Sequence, residues 1–369
     1  MTIQTDSQLV AIAEAFEGIT AVTAVLPLGS GNINDTYAVH SRQGVTVLQR
    51  LNTGVFSQPE LVMRNLQVLG KHIKAKLEGL ERPWHIPQIV PTSASQELLH
   101  SSAAGDVWRM ITFVPNARSV DVVEGAQQAR ELGIGLGVFH QLISDLPPAH
   151  LADTLEGFHI TPGYLAAYRK ALVRTTVQPC RGSEHCLAFI REREGDCDLL
   201  ELAKERGILP IRPIHGDPKI NNVMLDQRSG QAVALIDLDT VKPGLVHYDI
   251  GDCLRSCCNR LGEETWEHAA VEFDLQLAEA ILDGYLSQAG SFLSATECRY
   301  IPDAARLISF ELGLRFFSDY LQGSTYFQAD DPKHNLRRAL VQFQLTASIE
   351  AQLPELRHLV DRHAATASV

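Results

Sequence analysis

The chain has 369 residues, 45% apolar and 21% charged, a globular composition that argues against disorder. At that length two lobes meeting at a cleft are expected rather than one compact core. With 32 Lys and Arg against 44 Asp and Glu, the formal charge is −12. Such a surface repels polyanions, so small molecules are the expected partners and nucleic acid is not.

Met1–Asp6 has no basic stretch leading into an apolar run, and no window approaches a spanning helix. A cytoplasmic protein with no membrane association and no obligate protein partner is therefore expected. The seven cysteines read as free thiols. Cys253 and Cys257 fall on one helix face as small apolar groups, and Cys180, Cys186 and Cys197 lack metal-ligand spacing.

In chain order, Leu9, Val10, Ile12, Ala13 and Phe16 predict a helix over 8–18 that stops at Gly18. Strands over 22–28 and 36–40 flank the run Gly29-Ser30-Gly31-Asn32-Ile33-Asn34-Asp35, and a third over 45–51 follows Gly44. Pro59 opens a helix over 59–80, with Leu61, Val62, Leu66, Leu69, Ile73 and Leu77 at helical spacing. Short strands around Ile89, 97–100 and 107–113 complete one antiparallel sheet. Val114-Pro115-Asn116 then breaks the pattern as a hinge.

Beyond about residue 122 long helical patterns dominate, including 125–142, 161–173, 189–206, 264–288 and 301–322. Only 211–214, 223–226 and 233–236 read as strands there. The expected organisation is α+β, with a small β-rich lobe over 1–115 and a helical lobe over 116–369.

The chemistry is concentrated between His215 and Asp239. His215-Gly216-Asp217-Pro218-Lys219-Ile220-Asn221-Asn222 is followed by a strand, a turn at Ser229-Gly230 and a second strand ending Ile236-Asp237-Leu238-Asp239. A hairpin returning Asp237 to Asn222 assembles the parts phosphoryl transfer needs. Asp217 is the candidate base for an acceptor hydroxyl, Asn222 and Asp237 the candidate Mg²⁺ ligands, and Lys219 the cation facing the transferred phosphoryl group. Asp239 either adds a metal contact or holds the loop by hydrogen bonds. Alone, His215-Gly216-Asp217 would be an ordinary turn; its combination with Asn222, Asp237 and the upstream glycine run gives it meaning.

These motifs resemble those of the aminoglycoside phosphotransferase and choline kinase superfamily, and within it most resemble the bacterial N-acetylhexosamine 1-kinases. The resemblance rests on 29–37, Val47-Leu48-Gln49-Arg50-Leu51-Asn52, Trp108-Arg109-Met110, 217–226, 235–240, Tyr248-Asp249-Ile250-Gly251-Asp252 and 314–321. It implies a protein-kinase-like bilobal fold, ATP and Mg²⁺ as cofactors, and an amino-sugar acceptor. Gly29, Ser30, Gly31, Arg50 and Phe113 are then expected to contact the nucleotide, and Asn34, Arg315, Asp319 and Tyr320 the sugar. Where kinases of this fold carry a lysine on the third strand, alignment offers Arg50, with Glu60 or a neighbour as partner, and a one-residue shift offers Gln49. Arg315 and Asp319 otherwise form a helix ion pair, and His159 is a further substrate candidate. Asp249 and Asp252 are expected to brace the catalytic loop. Kinases for aminoglycosides, choline, homoserine or methylthioribose are the alternatives, as is a nucleotide-binding module without catalysis.

Overall fold

A computed structural model describes residues 6–29 and 33–367. Helix α1 (Ser7–Glu14) opens the chain, capped by Asp6, whose side chain accepts from Gln8 N. Strands β1 (Ala24–Pro27), β2 (Asp35–Ser41) and β3 (Gly44–Arg50) then form an antiparallel meander. Helix α2 (Pro59–Lys74) follows, before β4 (Ile89–Val90), β5 (His100–Ser101) and β6 (Val107–Thr112) complete the sheet. Its order is β1-β2-β3-β6-β4, with β5 also on β6. Ile12, Phe16, Val25, Val39, Leu48, Trp108 and Met110 form the core between this sheet and α1.

Although α2 lies among the first 115 residues, its buried Leu69 and Ile73 belong to the larger core that fills the helical half. Asn65 fastens it there. Its amide nitrogen donates to the Ala152 and Val241 carbonyls at 2.8 and 2.9 Å, and its oxygen accepts from Ala152 N at 2.9 Å.

After Val114-Pro115-Asn116, β7 (Ala117–Arg118) pairs with a later hairpin strand. Helices α3 (Ala126–Ile143), α4 (Thr161–Arg174), α5 (Arg181–Arg193) and α6 (Leu199–Glu205) lead to β8 (Arg212–Ile214), β9 (Val223–Asp226), β10 (Ala232–Leu235) and β11 (Lys242–Gly244). Then come α7 (Val246–Cys257), α8 (Leu275–Ala289), α9 (Ala295–Cys298), α10 (Ile301–Leu321), α11 (His334–Ala351) and α12 (Leu353–Ala367). No helix among the described residues is long and apolar enough to cross a membrane.

Two predicted helices change. The 189–206 segment is two helices parted by a 3-10 turn at Glu194–Asp196, and the first begins earlier, where Cys180 N donates to Ser183 Oγ at 2.8 Å. The 264–288 helix starts only at Leu275, because Asp274 caps it by accepting from Gln276 N and Leu277 N, each at 3.0 Å.

Helix α3 contains Gly133, a weak helix former in mid-helix. Packing against α8 explains it: a Cβ there would stand 2.1 Å from the Ile281 carbonyl oxygen. Gly133→Ala should therefore destabilise the protein by about 1–3 kcal/mol despite alanine's better propensity. A thermal melt showing a Tm at or above wild type would contradict this close-approach account.

Candidate active site

Two hairpin-like returns build the site. Strands β8 and β11 pair antiparallel, with Ile214 opposite Lys242, and β9 pairs with β10, with Val223 opposite Leu235. The loops leaving β8 and β10 are thereby brought side by side. Ile236 N donates to the Asn222 carbonyl at 2.9 Å, joining the segment before Asp237 to the segment after Asp217.

The loop from His215 to Lys219 is held by buried partners. Asp249, at the start of α7, accepts from His215 N at 2.7 Å and Gly216 N at 2.8 Å, and its Oδ2 lies 2.8 Å from His140 Nε2. Burial alone would raise the Asp249 pKa, but the hydrogen bond and charge of His140, with the His215 contacts, hold it below the ordinary carboxylate range. His215 reaches the other loop: its Nε2 donates to the Ile236 carbonyl at 2.9 Å, while Nδ1 accepts from Asp217 N at 3.3 Å. Such a ring is the neutral tautomer, and burial lowers its pKa accordingly. Gly216 has φ +90°, and a Cβ on it would meet the Thr240 carbonyl oxygen at 2.6 Å, so only glycine fits between the loops.

Asp217 and Lys219 form an ion pair, Oδ2 to Nζ 3.0 Å. The Asp217 charge, and then Asp237, push the lysine pKa up against the effect of burial. Among the described residues Asp217 Oδ1 has no hydrogen-bond partner. Asn222 Nδ2 donates to the Asp217 carbonyl at 2.7 Å, which leaves its Oδ1 as an available acceptor. Asp237, in left-handed backbone (φ 62°, ψ 54°), is open to solvent. Its accessible carboxylate is nevertheless ringed by protein atoms. Burial, then repulsion from Asp239 and Asp217, raise its pKa to about 6.

No three His, Cys, Asp or Glu side chains among the described residues form a ready-made metal cage. Two oxygen donors, Asn222 Oδ1 and Asp237, instead suit a hard cation that completes its shell with water and phosphate oxygens. An ionised Asp237 repelled by two neighbouring carboxylates fits such an ion.

Asp239 has a different occupation. It is 2% exposed, and Oδ1 lies 2.5 Å from Arg109 Nη1 while Oδ2 accepts from Asn34 Nδ2 at 2.8 Å. Asn34 Oδ1 in turn accepts from Asn52 N at 2.9 Å. The geometry thus gives Asp239 the loop-holding role rather than a metal contact, and Asn34 an internal bracing role rather than a sugar contact.

Arg50 is corrected too. Its Nε donates to Asp35 at 2.6 Å, and Nη1 lies 3.4 Å from Asp106, on the strand face opposite Gln49. Glu60 is exposed, and among the described residues the carboxylates that Arg50 meets are Asp35 and Asp106 instead. On the inner face Arg109 Nε donates to Gln49 Oε1 at 2.9 Å, and Gln49 Nε2 to Thr36 Oγ1 at 3.0 Å. The buried interlobe cation is therefore Arg109, signalled in sequence by one arginine amid the apolar strand Val107–Phe113.

Gly29 has φ +74° at the turn after β1, while Ser30 and Gly31 lie outside the described residues. Phe113 is half-buried just past β6.

On α10, Arg315 lies over the rings of Phe158, Tyr164 and Phe327, at 5.1, 5.1 and 5.4 Å. It feels the Asp217 charge and makes no salt bridge among the described residues. Asp319 does not pair with it. That carboxylate accepts from the backbone N–H groups of Thr325, Tyr326 and Phe327 at 2.8–3.0 Å and from Asn335 Nδ2 at 2.9 Å, folding the loop that carries Phe327 to Arg315. Tyr320 is 5% exposed and packs on Phe317 in the core. Neither residue joins the cluster. Asp252 pairs with Arg255 at 2.7 Å. Sequence reasoning missed His140 and Glu311; the latter's only signal was a carboxylate within an apolar helix.

The family model described as "Phosphotransferase enzyme family" matches residues 24–295. Among solved structures, a microcompartment-associated aminopropanol kinase is 16% identical with a TM-score of 0.64, the match covering 94% of this chain and 98% of that one. An aminoglycoside phosphotransferase from Alicyclobacillus acidocaldarius is 17% identical, with a TM-score of 0.61 and 95% of each chain covered. A spectinomycin phosphotransferase in complex with ADP and spectinomycin is 13% identical, with a TM-score of 0.51, covering 94% of this chain and all of that one. At these identities the structural likeness is one of fold.

Proposed function

The chain belongs to the phosphotransferase enzyme family, a small-molecule phosphotransferase with an alcohol-type acceptor, and from that premise we propose that it transfers the γ-phosphoryl group of ATP to the anomeric hydroxyl of an N-acetylhexosamine. N-Acetylglucosamine and N-acetylgalactosamine are the acceptors meant, and the sugar 1-phosphate and ADP are the products. The observation that carries this reading is that, among the described residues, Asp217 Oδ1 and Asp237 take no hydrogen-bond partner in the loops that also present Asn222 Oδ1.

Asp217 receives the acceptor proton as the sugar oxygen bonds to phosphorus and the bond to the bridging oxygen of ADP breaks. Lys219 holds Asp217 in place and offsets charge on the transferred group. Asn222 and Asp237 would hold Mg²⁺, which supplies charge neutralisation on the phosphates. A nucleotide substrate accords with the ADP complex of the spectinomycin phosphotransferase.

Arg315 sets the acceptor class. A half-buried guanidinium with no direct salt bridge among the described residues, framed by aromatic rings, offers donors and ring faces to a neutral sugar and repels a cationic amine. An ADP-release assay across N-acetylglucosamine, N-acetylgalactosamine, choline, an aminoalcohol and an aminoglycoside tests this. Turnover confined to the cationic acceptors would remove the sugar reading.

Asp237→Asn should act on stability and binding in opposite directions. Folding raises the Asp237 pKa from 3.8 to about 6, so the folded state favours the protonated carboxyl, and above pH 6 its ionised form opposes folding. The neutral variant should therefore melt higher than wild type without ligand at pH 7.5. Mg²⁺-dependent nucleotide affinity by calorimetry should fall at least tenfold. Unchanged affinity with and without Mg²⁺ would take Asp237 out of the metal role.

A further inference from the structure

His159 is buried, 4% exposed, in left-handed backbone with φ +65° between α3 and α4. Its ring lies against Phe158, with centroids 4.0 Å apart, and stacks on Tyr248 at 5.4 Å and 28°. Nε2 is 2.7 Å from the Gly216 carbonyl oxygen, and Nδ1 is 3.0 Å from Glu311 Oε1. The other Glu311 oxygen accepts from Thr161 Oγ1 at 2.7 Å. A carbonyl oxygen cannot donate and an ionised carboxylate cannot either, whereas a neutral imidazole has one N–H. With Glu311 as the carboxylate that accepts from Thr161, both contacts are met at once by a ring carrying both protons, a double donor.

Gly216 directly precedes the base Asp217, and Glu311 lies one helical turn before Arg315. We propose that His159 is a positioning residue for phosphoryl transfer, a doubly donating ring that fixes the carbonyl next to Asp217 and ties it to the helix presenting Arg315 to the acceptor. This role rests on the proposed function. It differs from sugar contact, since both ring nitrogens are occupied within the protein.

The charged and titratable groups facing the ring come from every side. Glu311 and Arg315 stand on α10, Asp252 and Tyr248 on α7, Tyr164 on α4, and Asp217 follows in the catalytic loop. Burial alone would lower the His159 pKa, but the Glu311 hydrogen bond and charge, Asp252 and the Gly216 carbonyl raise it above the usual histidine value. The brace is thus intact below the ordinary histidine pKa and lapses as pH climbs through the raised one.

The test combines spectroscopy with kinetics on the full chain. In ¹⁵N-histidine-labelled protein at pH 5.5, below the ordinary histidine pKa, both His159 ring nitrogens should carry protons, the signal being assigned by its loss in His159→Gln. His159→Ala should lower kcat by about 10–100-fold with KM for ATP within about twofold. His159→Gln, which keeps a donor for Gly216, should recover part of kcat and lose the basic limb of the kcat–pH profile. Glu311→Gln should also lose that limb, with a smaller fall in kcat than His159→Ala. A singly protonated ring, or wild-type kcat in His159→Ala, would overturn the proposal. Failure of the wild type to release ADP with every acceptor would instead sink the functional reading, and the nitrogen spectrum would still decide the state of the ring.

Discussion

Asp217→Asn should reduce kcat for the sugar acceptor by about 10²–10⁴-fold, the range expected when a positioned general base is lost. The amide preserves size and keeps an oxygen for Lys219, so the loop has no steric reason to move. Stability should change little, because Asp217 and Lys219 are both partly exposed and such pairs contribute about 0–1 kcal/mol. The backbone contacts of residue 217, to His215 Nδ1 and Asn222 Nδ2, survive the substitution. ADP release and a thermal melt on the same preparation separate the effects. Turnover within tenfold of wild type would show that the acceptor proton leaves by another route.

The second large effect should come from Arg109→Met. Arg109 and Asp239 are each 2% exposed and face one another between the sheet and the loop that carries Asp237. Removing the arginine leaves a buried carboxylate without its cation, a loss of about 3–5 kcal/mol. It also removes one of the positive charges that restrain the upward shift at Asp237. Replacing both members with apolar residues should cost less than the single change, since no lone charge remains. Urea unfolding of the two single variants and the double variant measures the coupling. A single variant within about 0.5 kcal/mol of wild type would mean the pair is not an interlobe tie.

Much of this site was legible because its residues are local in sequence. Asp217, Lys219, Asn222 and Asp237 occupy one strand–turn–strand stretch, and strand pairing alone brings Ile236 back to Asn222. What escaped was the long-range polar wiring. The tie of Arg109 to Asp239 and of Asn34 to Asp239 spans two lobes, and nothing in local spacing reports a contact across more than a hundred residues. The choice between Arg50 and Gln49 turned on strand register, which pairing with β2 and β6 fixes and the lone strand does not. Asp319 and Tyr320 lay in a stretch matched by resemblance, yet helical geometry sends one to a loop and the other to the core. Among helices, α11 and α12 were missed and 264–288 was drawn too long, since the Asp274 cap outweighs the polar residues before it.

The amide of Asn65 has a wider consequence. By gripping the backbone at both Ala152 and Val241, it rivets α2 to the helical body, and the ties of Arg109 and Asn34 to Asp239 fasten the sheet to that same body. Swinging α2 aside would strand the buried Val241 carbonyl and the amide that serves it, at about 1–3 kcal/mol for each group.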